Sequence, residues 1–421
     1  MRGADICRGT AAPCPYTAAA ILATMCALVA ARADAQDAPP TPYFDARTHV
    51  PEYVGPGREL PPPEGLTEIN VAFFGPADAN DPEWGDAWRG ATLAVEEANA
   101  KKGYHGLPFR LLSAWSENPW GSGVADLAKL VYTRGIWAIV GGVNGAATHL
   151  AEQIVVKAQL SLVNPGGTDP SVNFTNVPWM FTLPATDDRQ APLLGRALAD
   201  RHAADGWSVV TTTDRDAASA WRTISAAPAL HGLPTPLHQV VVAASQSNYA
   251  ESLVDVARSG SRAVLVLAGA RDAARIVRAL RSQDYRGRIV GGATLGRRAF
   301  VAEAGADAEG VVFPLLFDPE QPEALAFVSR FRERWGTQPD FLAAHVYDAV
   351  QLIVDAVRRA GPNRVLIRDA IATSPASPGV CGTVTWDPTG RNTRPLTLGI
   401  WHDGRTGRLT AGVGDAREPK P

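Results

Sequence analysis

The sequence predicts a two-lobed α/β protein in which each lobe has a parallel β-sheet with helices on both faces. Short β-branched or apolar runs alternate with amphipathic segments, which is typical of such sheets. The alternation runs through two successive series, so two lobes are expected. The chain has 421 residues, 46% of them apolar, and this length suits about two domains plus tails. A chain that crosses between the lobes more than once would form a hinge.

The N-terminus has the order of a secretory signal peptide. Arg2 and Arg8 precede the apolar run 18–30, and the small-x-small pattern 33–35 follows it. A membrane anchor is the alternative, but the run is shorter than the roughly 20 residues that a spanning helix needs. We therefore predict cleavage after Ala35 and export from the cytoplasm.

Cysteine usage agrees with this interpretation. Cys7, Cys14 and Cys26 all lie in the predicted signal peptide, and Met25 stands where a small residue is expected before a lipid-modified cysteine. The exported chain would keep only Cys381, which excludes a disulfide within it. We interpret Cys381 as a small buried apolar residue.

The predicted folded region begins near Leu66. Residues 36–65 are rich in proline and show no apolar period, so they are interpreted as an extended tether. The first series of elements then has strands at 69–74, 109–112, 136–140 and 160–163, a helix around Trp88 to Ala98, and helices at 122–134 and 146–158.

The second series begins after a strand at 179–183. Its predicted helices are 188–202, 217–230, 249–259 and 272–283, and its strands are 208–211, 239–242, 263–267 and 288–290. Near Pro314 the pattern changes to two long helices, 322–335 and 341–360. Two terminal strands, 383–386 and 397–401, complete the chain.

Two loops follow strands where a ligand would bind. Open parallel sheets bind ligands beyond the carboxyl ends of their strands, near free N–H groups of helix N-termini. The loops 141–148 and 164–170 both fit, with small residues and with Asn144, Thr148 and Thr168 as polar groups. Alternatively, the glycines are turns, and Asn144 and Thr168 are helix caps. Two such loops one strand apart favour a ligand site.

Several function classes lack support. A net charge of −3 leaves no basic surplus for nucleic acid or an anionic membrane. Residues 291–298 have phosphate-loop glycine spacing, but Arg297 and Arg298 stand where Lys and Ser or Thr are required. The eight histidines are scattered, and neither a nucleophile elbow nor an H-E-x-x-H motif occurs. We therefore predict no cofactor, no metal site and no enzymatic activity.

Aromatic residues and an acidic pair are further candidates. Trp84, Trp115, Trp120 and Trp221 are expected near loops that face one cleft, although core packing explains most tryptophans. Trp84 is the best candidate for a pocket wall because its surroundings are polar. The pair 187–188 is better explained as a helix-start acid than as an acid and a base.

These residues resemble type I periplasmic binding proteins, the receptors of ABC importers for branched-chain amino acids and similar solutes. The likeness spans about 66–409. It rests on the segments 84–103, 141–148, 164–170, 308–310 and 382–390. The resemblance implies two Rossmann-like lobes joined by three crossovers, near 184–188, 313–319 and 376–380. The implied boundaries are 66–185 with 318–377 for lobe 1, and 186–317 with 378–421 for lobe 2.

The resemblance also implies a ligand site. Trp84 takes the place of an aromatic residue that holds the solute, Gly166 and Thr168 carry over from the second loop, and Gly145 replaces a hydroxyl residue and keeps only its N–H. The candidate solute contacts are Trp84, Asn144, Gly145, Ala146, Gly166, Gly167, Thr168, Ser219, Trp221, Arg271 and Thr294.

Departures from the family pattern bear on the solute. The acidic residue that receives an ammonium group aligns near Ala293, and 217–219 lacks the expected aromatic residue. The family disulfide is missing as well. A buried ammonium group without a carboxylate would cost several kcal/mol, which argues against leucine, isoleucine or valine. Arg271 and Arg297 would suit an anionic solute if they face the cleft; the alternative is that both are solvated helix-start residues.

We thus expect a periplasmic, monomeric receptor that delivers a small polar solute to an ABC permease in the inner membrane. The alternative function is a ligand-sensing subunit of a signalling system, because the same fold serves as a sensor. An enzyme is the remaining alternative and lacks a nucleophile or a metal-ligand set.

Overall fold

The first lobe follows the predicted strand-helix alternation. The computed structural model describes residues 52–116, 119–175, 177–199, 206–373 and 377–410. The predicted signal peptide and its cleavage position lie outside the described residues. The first series comprises β1 (Ile69–Phe74), α1 (Gly85–Ala100), β2 (Phe109–Ala114), α2 (Val124–Thr133), β3 (Ile136–Gly141), α3 (Gly145–Ala158), β4 (Ser161–Asn164) and β5 (Met180–Thr182).

These strands form a parallel sheet in the order β2-β1-β3-β4-β5. Successive side chains of a strand point to opposite faces. Accordingly, Val71 and Phe73 lie in the core cluster beneath α1, whereas Ala72 and Phe74 lie in the cluster beneath α2 and α3. Both faces are buried, which explains why the strands are continuously apolar.

The second lobe is built on the same plan. It comprises α4 (Asp187–Ala199), β6 (Trp207–Thr212), α5 (Arg215–Ser225), α6 (Pro228–His231), β7 (Gln239–Val242), α7 (Val254–Arg258), β8 (Ala263–Leu267), α8 (Ala270–Arg281), β9 (Arg288–Gly291), α9 (Arg298–Ala304) and β10 (Val312–Leu315). Pro228 begins a separate helix, so the predicted helix 217–230 is two helices. The second sheet also has helices on both faces of its parallel strands.

The C-terminal third returns to the first lobe and then to the second. Three helices pack on the first lobe: α10 (Pro322–Trp335), α11 (Phe341–Ala360) and α12 (Arg364–Ala372). A hairpin of β11 (Ser377–Gly379) and β12 (Gly382–Val384) follows. The last strands, β13 (Thr397–His402) and β14 (Arg405–Arg408), extend the second sheet to β7-β6-β8-β9-β10-β13-β14 with antiparallel pairing. None of the described helices is long and apolar enough to cross a membrane.

The third crossover lies later in the chain than predicted. Cys381 and Val384 belong to the core of the first lobe, and Trp386 packs against Phe181 with ring centroids 5.2 Å apart. The amide of Asn392 donates to the carbonyl of Leu183. Residues 378–392 therefore belong to the first lobe, and the crossover falls between Asn392 and β13. The first crossover runs from β5 to α4 and the second from β10 to α10.

The predicted tether is too long at its C-terminal end. Tyr53 is buried against Trp179, with 3% of its surface exposed and ring centroids 4.7 Å apart. Further on, the Asn363 side chain donates to the carbonyls of Gly57 and Leu60. The first lobe therefore includes residues from 53 onward. The sequence did not indicate this packing, because it depends on one aromatic side chain, Tyr53, and not on an apolar period.

Candidate functional site

A cavity of about 620 Å³ lies between the lobes. Its walls include loops that follow β1, β3, β4 and β5 of the first lobe and β6, β7, β8 and β9 of the second. These loops leave the carboxyl ends of parallel strands, where open α/β sheets bind ligands. A solute in this cavity would contact both lobes at once.

The wall of the first lobe contains five of the predicted contacts. They are Trp84, Asn144, Gly145, Gly166 and Thr168. The backbone N–H of Trp84 donates to the Asp81 carboxylate at 2.7 Å, which fixes the loop before α1. The alternative interpretation of Asn144 as a helix cap is also confirmed, because its side-chain oxygen accepts from Ala147 N at 2.9 Å.

Two predicted contacts, Arg271 and Thr294, line the wall of the second lobe. The Thr294 hydroxyl donates to the carbonyl of Ala268 at 2.8 Å. Arg271 pairs with Glu303 of its own lobe at 3.3 Å, and 37% of its side chain is exposed. Thus Arg271 faces the cavity with part of its hydrogen-bonding capacity already used.

A carboxylate of the second lobe reaches the N-terminus of α3 in the first lobe. Asp216, in the first turn of α5, accepts hydrogen bonds from Gly145 N at 3.1 Å and Ala146 N at 2.9 Å. Burial, followed by the nearby Asp214, raises the pKa of Asp216 to about 6. The N–H groups that the sequence assigned to a solute are therefore occupied by a side chain of the protein.

Arginines at the start of α9 join the lobes. Arg297 lies 2.5 Å from Asp340, which precedes α11, and both side chains are 3% exposed. Arg297 also donates to the carbonyl of Glu83 at 2.7 Å. Arg298 bonds Asp86 of α1 at 2.7 Å. The hypothesis that Arg297 binds an anionic solute is thus weakened, because its guanidinium already has a carboxylate partner.

Two further carboxyl groups line the cavity. Asp187 begins α4, is 4% exposed, and its backbone N–H donates to the carbonyl of Thr168 at 2.8 Å. Burial raises the pKa of Asp187 well above its usual value. Burial also raises the pKa of Glu83, against the opposing effect of Arg297. Sequence reasoning assigned Asp187 only to the helix start, although its place just after β5 could have marked it as a cavity residue.

His149 is the centre of a polar cluster beside the cleft. One ring nitrogen lies 3.0 Å from Ser171 Oγ and 3.3 Å from Asp169, and the other lies 3.3 Å from Glu152. Hydrogen bonds with Asp169 and then Glu152 raise the pKa of His149 to about 9. A protonated imidazole cannot accept the hydroxyl proton of Ser171, so the cluster does not have the protonation state of a nucleophilic triad.

Four predicted contacts do not line the cavity. Trp221 is partly buried and packs edge-on against Trp207, with ring centroids 6.4 Å apart, beside the core of the second lobe, and Ser219 is buried on the same helix. Ala146 contributes its N–H to Asp216. Gly167 is required for packing between the two loops, because a Cβ there would lie 3.0 Å from Gly145 Cα.

Other candidates lie elsewhere. Trp115 packs against Phe74 at 5.4 Å, and the side chain of Trp120 is outside the described part of the chain. Cys381 is buried and free, as predicted. A surface group of Glu309, His402 and Asp403 brings three potential metal-ligand atoms within 4.8 Å, but its His and Asp are exposed.

The chain matches a known protein family over most of its length. The family model described as periplasmic binding protein matches residues 68–406. An amino acid binding protein of Pseudomonas aeruginosa is 24% identical over 77% of this chain and 87% of its own length. A Leu/Ile/Val-binding protein homolog of Brucella abortus is 23% identical over 82% of this chain and 93% of its own length.

A solved structure with the same fold is the branched-chain amino acid transporter substrate binding protein LivJ of Streptococcus pneumoniae, in complex with isoleucine. Its TM-score is 0.73 at 20% identity, covering 81% of this chain and 99% of that one. The interlobe cavity, the two parallel sheets and the family match together identify the chain as a member of the type I periplasmic binding proteins, a family of solute-binding receptors.

Proposed function

We propose that this protein captures a small polar solute in the cavity between its lobes and delivers it to an ABC importer. The observation that carries the proposal is the cavity of about 620 Å³, which is lined by strand-end loops of both lobes. A ligand stabilises a closed arrangement only if it contacts both lobes better than the open state allows. Hinge closure of periplasmic binding proteins is a standard example of such a transition.

The solute is not a branched-chain amino acid. The acidic residue expected to receive an ammonium group is absent at Ala293, which lines the cavity. Ala217, also in the wall, stands where an aromatic residue is expected. In addition, Asp216 occupies the N–H groups of Gly145 and Ala146. Leucine would therefore lose the carboxylate contacts at α3 and the ammonium partner expected at position 293.

The protein acts outside the cytoplasm and performs no chemistry on its solute. The order of residues 1–35 supports export. The raised pKa of His149 supports the lack of chemistry for that side chain, because an imidazole that is charged at neutral pH cannot act as a general base.

A thermal-shift screen of the purified protein tests solute capture. Amines, amides, sugars, carboxylates and amino acids should be screened. A ligand at 100 times its Kd adds roughly 2.7 kcal/mol of stability, which raises the melting temperature. We expect stabilisation by at least one solute class and none by leucine. Stabilisation by leucine would contradict the proposed specificity, and conversion of the bound solute would contradict the proposed lack of catalysis.

Transport and sensing are then separated in cells. Deletion of the gene should abolish uptake of the solute that the screen identifies. If uptake is unchanged and a transcriptional response to that solute is lost, the protein is the ligand-sensing subunit of a signalling system.

A further inference from the structure

The N-terminus of α3 binds a carboxylate that the protein itself supplies, that of Asp216. The α3 helix begins with Asn144, whose side chain caps the N–H group of Ala147 and leaves those of Gly145 and Ala146 for another acceptor. Free N–H groups and the positive end of the helix dipole favour an anion there. Asp216 supplies that anion from the opposite lobe, with hydrogen bonds of 3.1 and 2.9 Å.

Gly145 is required for this contact. A Cβ at position 145 would lie 2.9 Å from Asp216 Oδ1 and 3.1 Å from Asp169 Cβ. Any larger residue would displace the carboxylate or the loop. The absence of a side chain at 145 and the presence of an acid at 216 are therefore complementary features of this chain.

The charge of the surrounding cavity disfavours a second carboxylate. Asp187 lines the cavity, is 4% exposed and forms no ion pair with any basic side chain of the described residues. The nearby arginines are already paired, Arg297 with Asp340 and Arg271 with Glu303. An incoming carboxylate would meet Asp187 and Asp216 beside guanidinium groups whose charges are already neutralised by other carboxylates, whereas a cationic group would favour the charged forms of both acids.

We infer that Asp216 determines specificity by replacing the solute's carboxylate at Gly145 and Ala146, so that the receptor selects solutes with an ammonium or amidinium group and no carboxylate. The inference rests on the proposed capture of a solute in this cavity and names its chemical class. Asp187 and Asp216 are the side chains that face the cationic group.

Leucine and two analogues that each lack one of its charged groups test the inference. Leucine carries both charged groups, 4-methylpentanoate only the carboxylate, and 3-methylbutylamine only the ammonium group; putrescine and agmatine extend the cationic set. Their affinities should be measured by calorimetry for the full protein and for Asp216→Ala. We expect wild type to bind at least one of the three amines and neither carboxylate. In Asp216→Ala, which opens both N–H groups, affinity for 4-methylpentanoate should rise at least tenfold.

The control variant is Asp272→Ala. Asp272 lines the same cavity but bonds Ser245 N and Arg275 in its own lobe, so its loss removes a negative charge without opening α3. A gain for carboxylates in this control equal to that of Asp216→Ala would overturn the specific role of Asp216, as would no gain in Asp216→Ala. If wild type binds none of the amines, the cationic class is wrong. If other solutes bind in the screen, solute capture stands even when this inference fails.

Discussion

Arg297 and Asp340 form an ion pair across the two lobes, with Nε and Oδ2 2.5 Å apart and each side chain 3% exposed. Burial would favour a protonated Asp340, but Arg297 outweighs this effect and lowers the pKa of the carboxyl. The same guanidinium lies over the ring of Trp84, 5.5 Å from its centroid. Arg297 therefore contacts both Asp340 of the opposite lobe and Trp84 in the wall of the cavity.

Neutralising Asp340 should be strongly destabilising. Asp340→Asn keeps an oxygen to cap α11, where Asp340 now accepts from Leu342 N and Ala343 N, but leaves Arg297 as an unpaired buried charge. Removing one partner of a buried ion pair costs about 3–5 kcal/mol. Urea unfolding should show this loss. In the exposed pair Arg286–Asp284, Asp284→Asn should change stability by less than about 0.5 kcal/mol. Equal losses of stability in the two variants would show that the buried pair stabilises the protein no more than the exposed pair does.

Loss of the second cross-lobe pair should open the protein. Arg298→Gln breaks the 2.7 Å contact with Asp86, whose side chain is 2% exposed. Because this contact joins the lobes, small-angle scattering of the solute-free variant should give a larger radius of gyration than wild type. Arg58→Gln, which breaks the Arg58–Asp369 pair within the first lobe, should leave the radius unchanged. An equal radius of gyration in the two variants would indicate that Arg298 does not hold the lobes together.

Stability should fall at alkaline pH as His149 loses its proton. Hydrogen bonds with Asp169 and Glu152 raise the pKa of His149 to about 9. A group with a raised native pKa contributes its full stability below its unfolded pKa of about 6.5 and loses it as pH rises through about 9. The loss is on the order of 2 kcal/mol. Melting temperatures measured from pH 6 to 10 should fall for wild type and much less for His149→Gln. Parallel curves would contradict this assignment.

Trp84 and Trp221 should respond differently to truncation. Trp84 lines the cavity, so Trp84→Ala should weaken solute binding at least tenfold with a smaller effect on unfolding. Trp221 packs on Trp207 away from the cavity, so Trp221→Ala should cost about 2 kcal/mol of stability and leave the Kd near that of wild type. Calorimetry and urea unfolding of both variants check this. A binding loss confined to Trp221→Ala would reverse the assignment.

The sequence by itself determined the elements and the general position of the site. Continuous apolar runs predicted strands such as β1, β7 and β8 with their observed bounds, because burial on both faces of a parallel sheet acts within a few residues. Loops after strands predicted Trp84, Asn144 and Thr168, since the carboxyl ends of parallel strands meet at one edge. These are local properties of the chain.

Only the tertiary structure decided which groups meet. Asp216 contacts Gly145 from about 70 residues away in the chain, and Tyr53 anchors a proline-rich segment on Trp179. Trp221 fell on the buried face of its helix, which its position near a loop did not indicate. Such contacts depend on how surfaces that are distant in the chain pack together, and on which charged side chains become buried and must then pair. A local pattern in the sequence does not predict them.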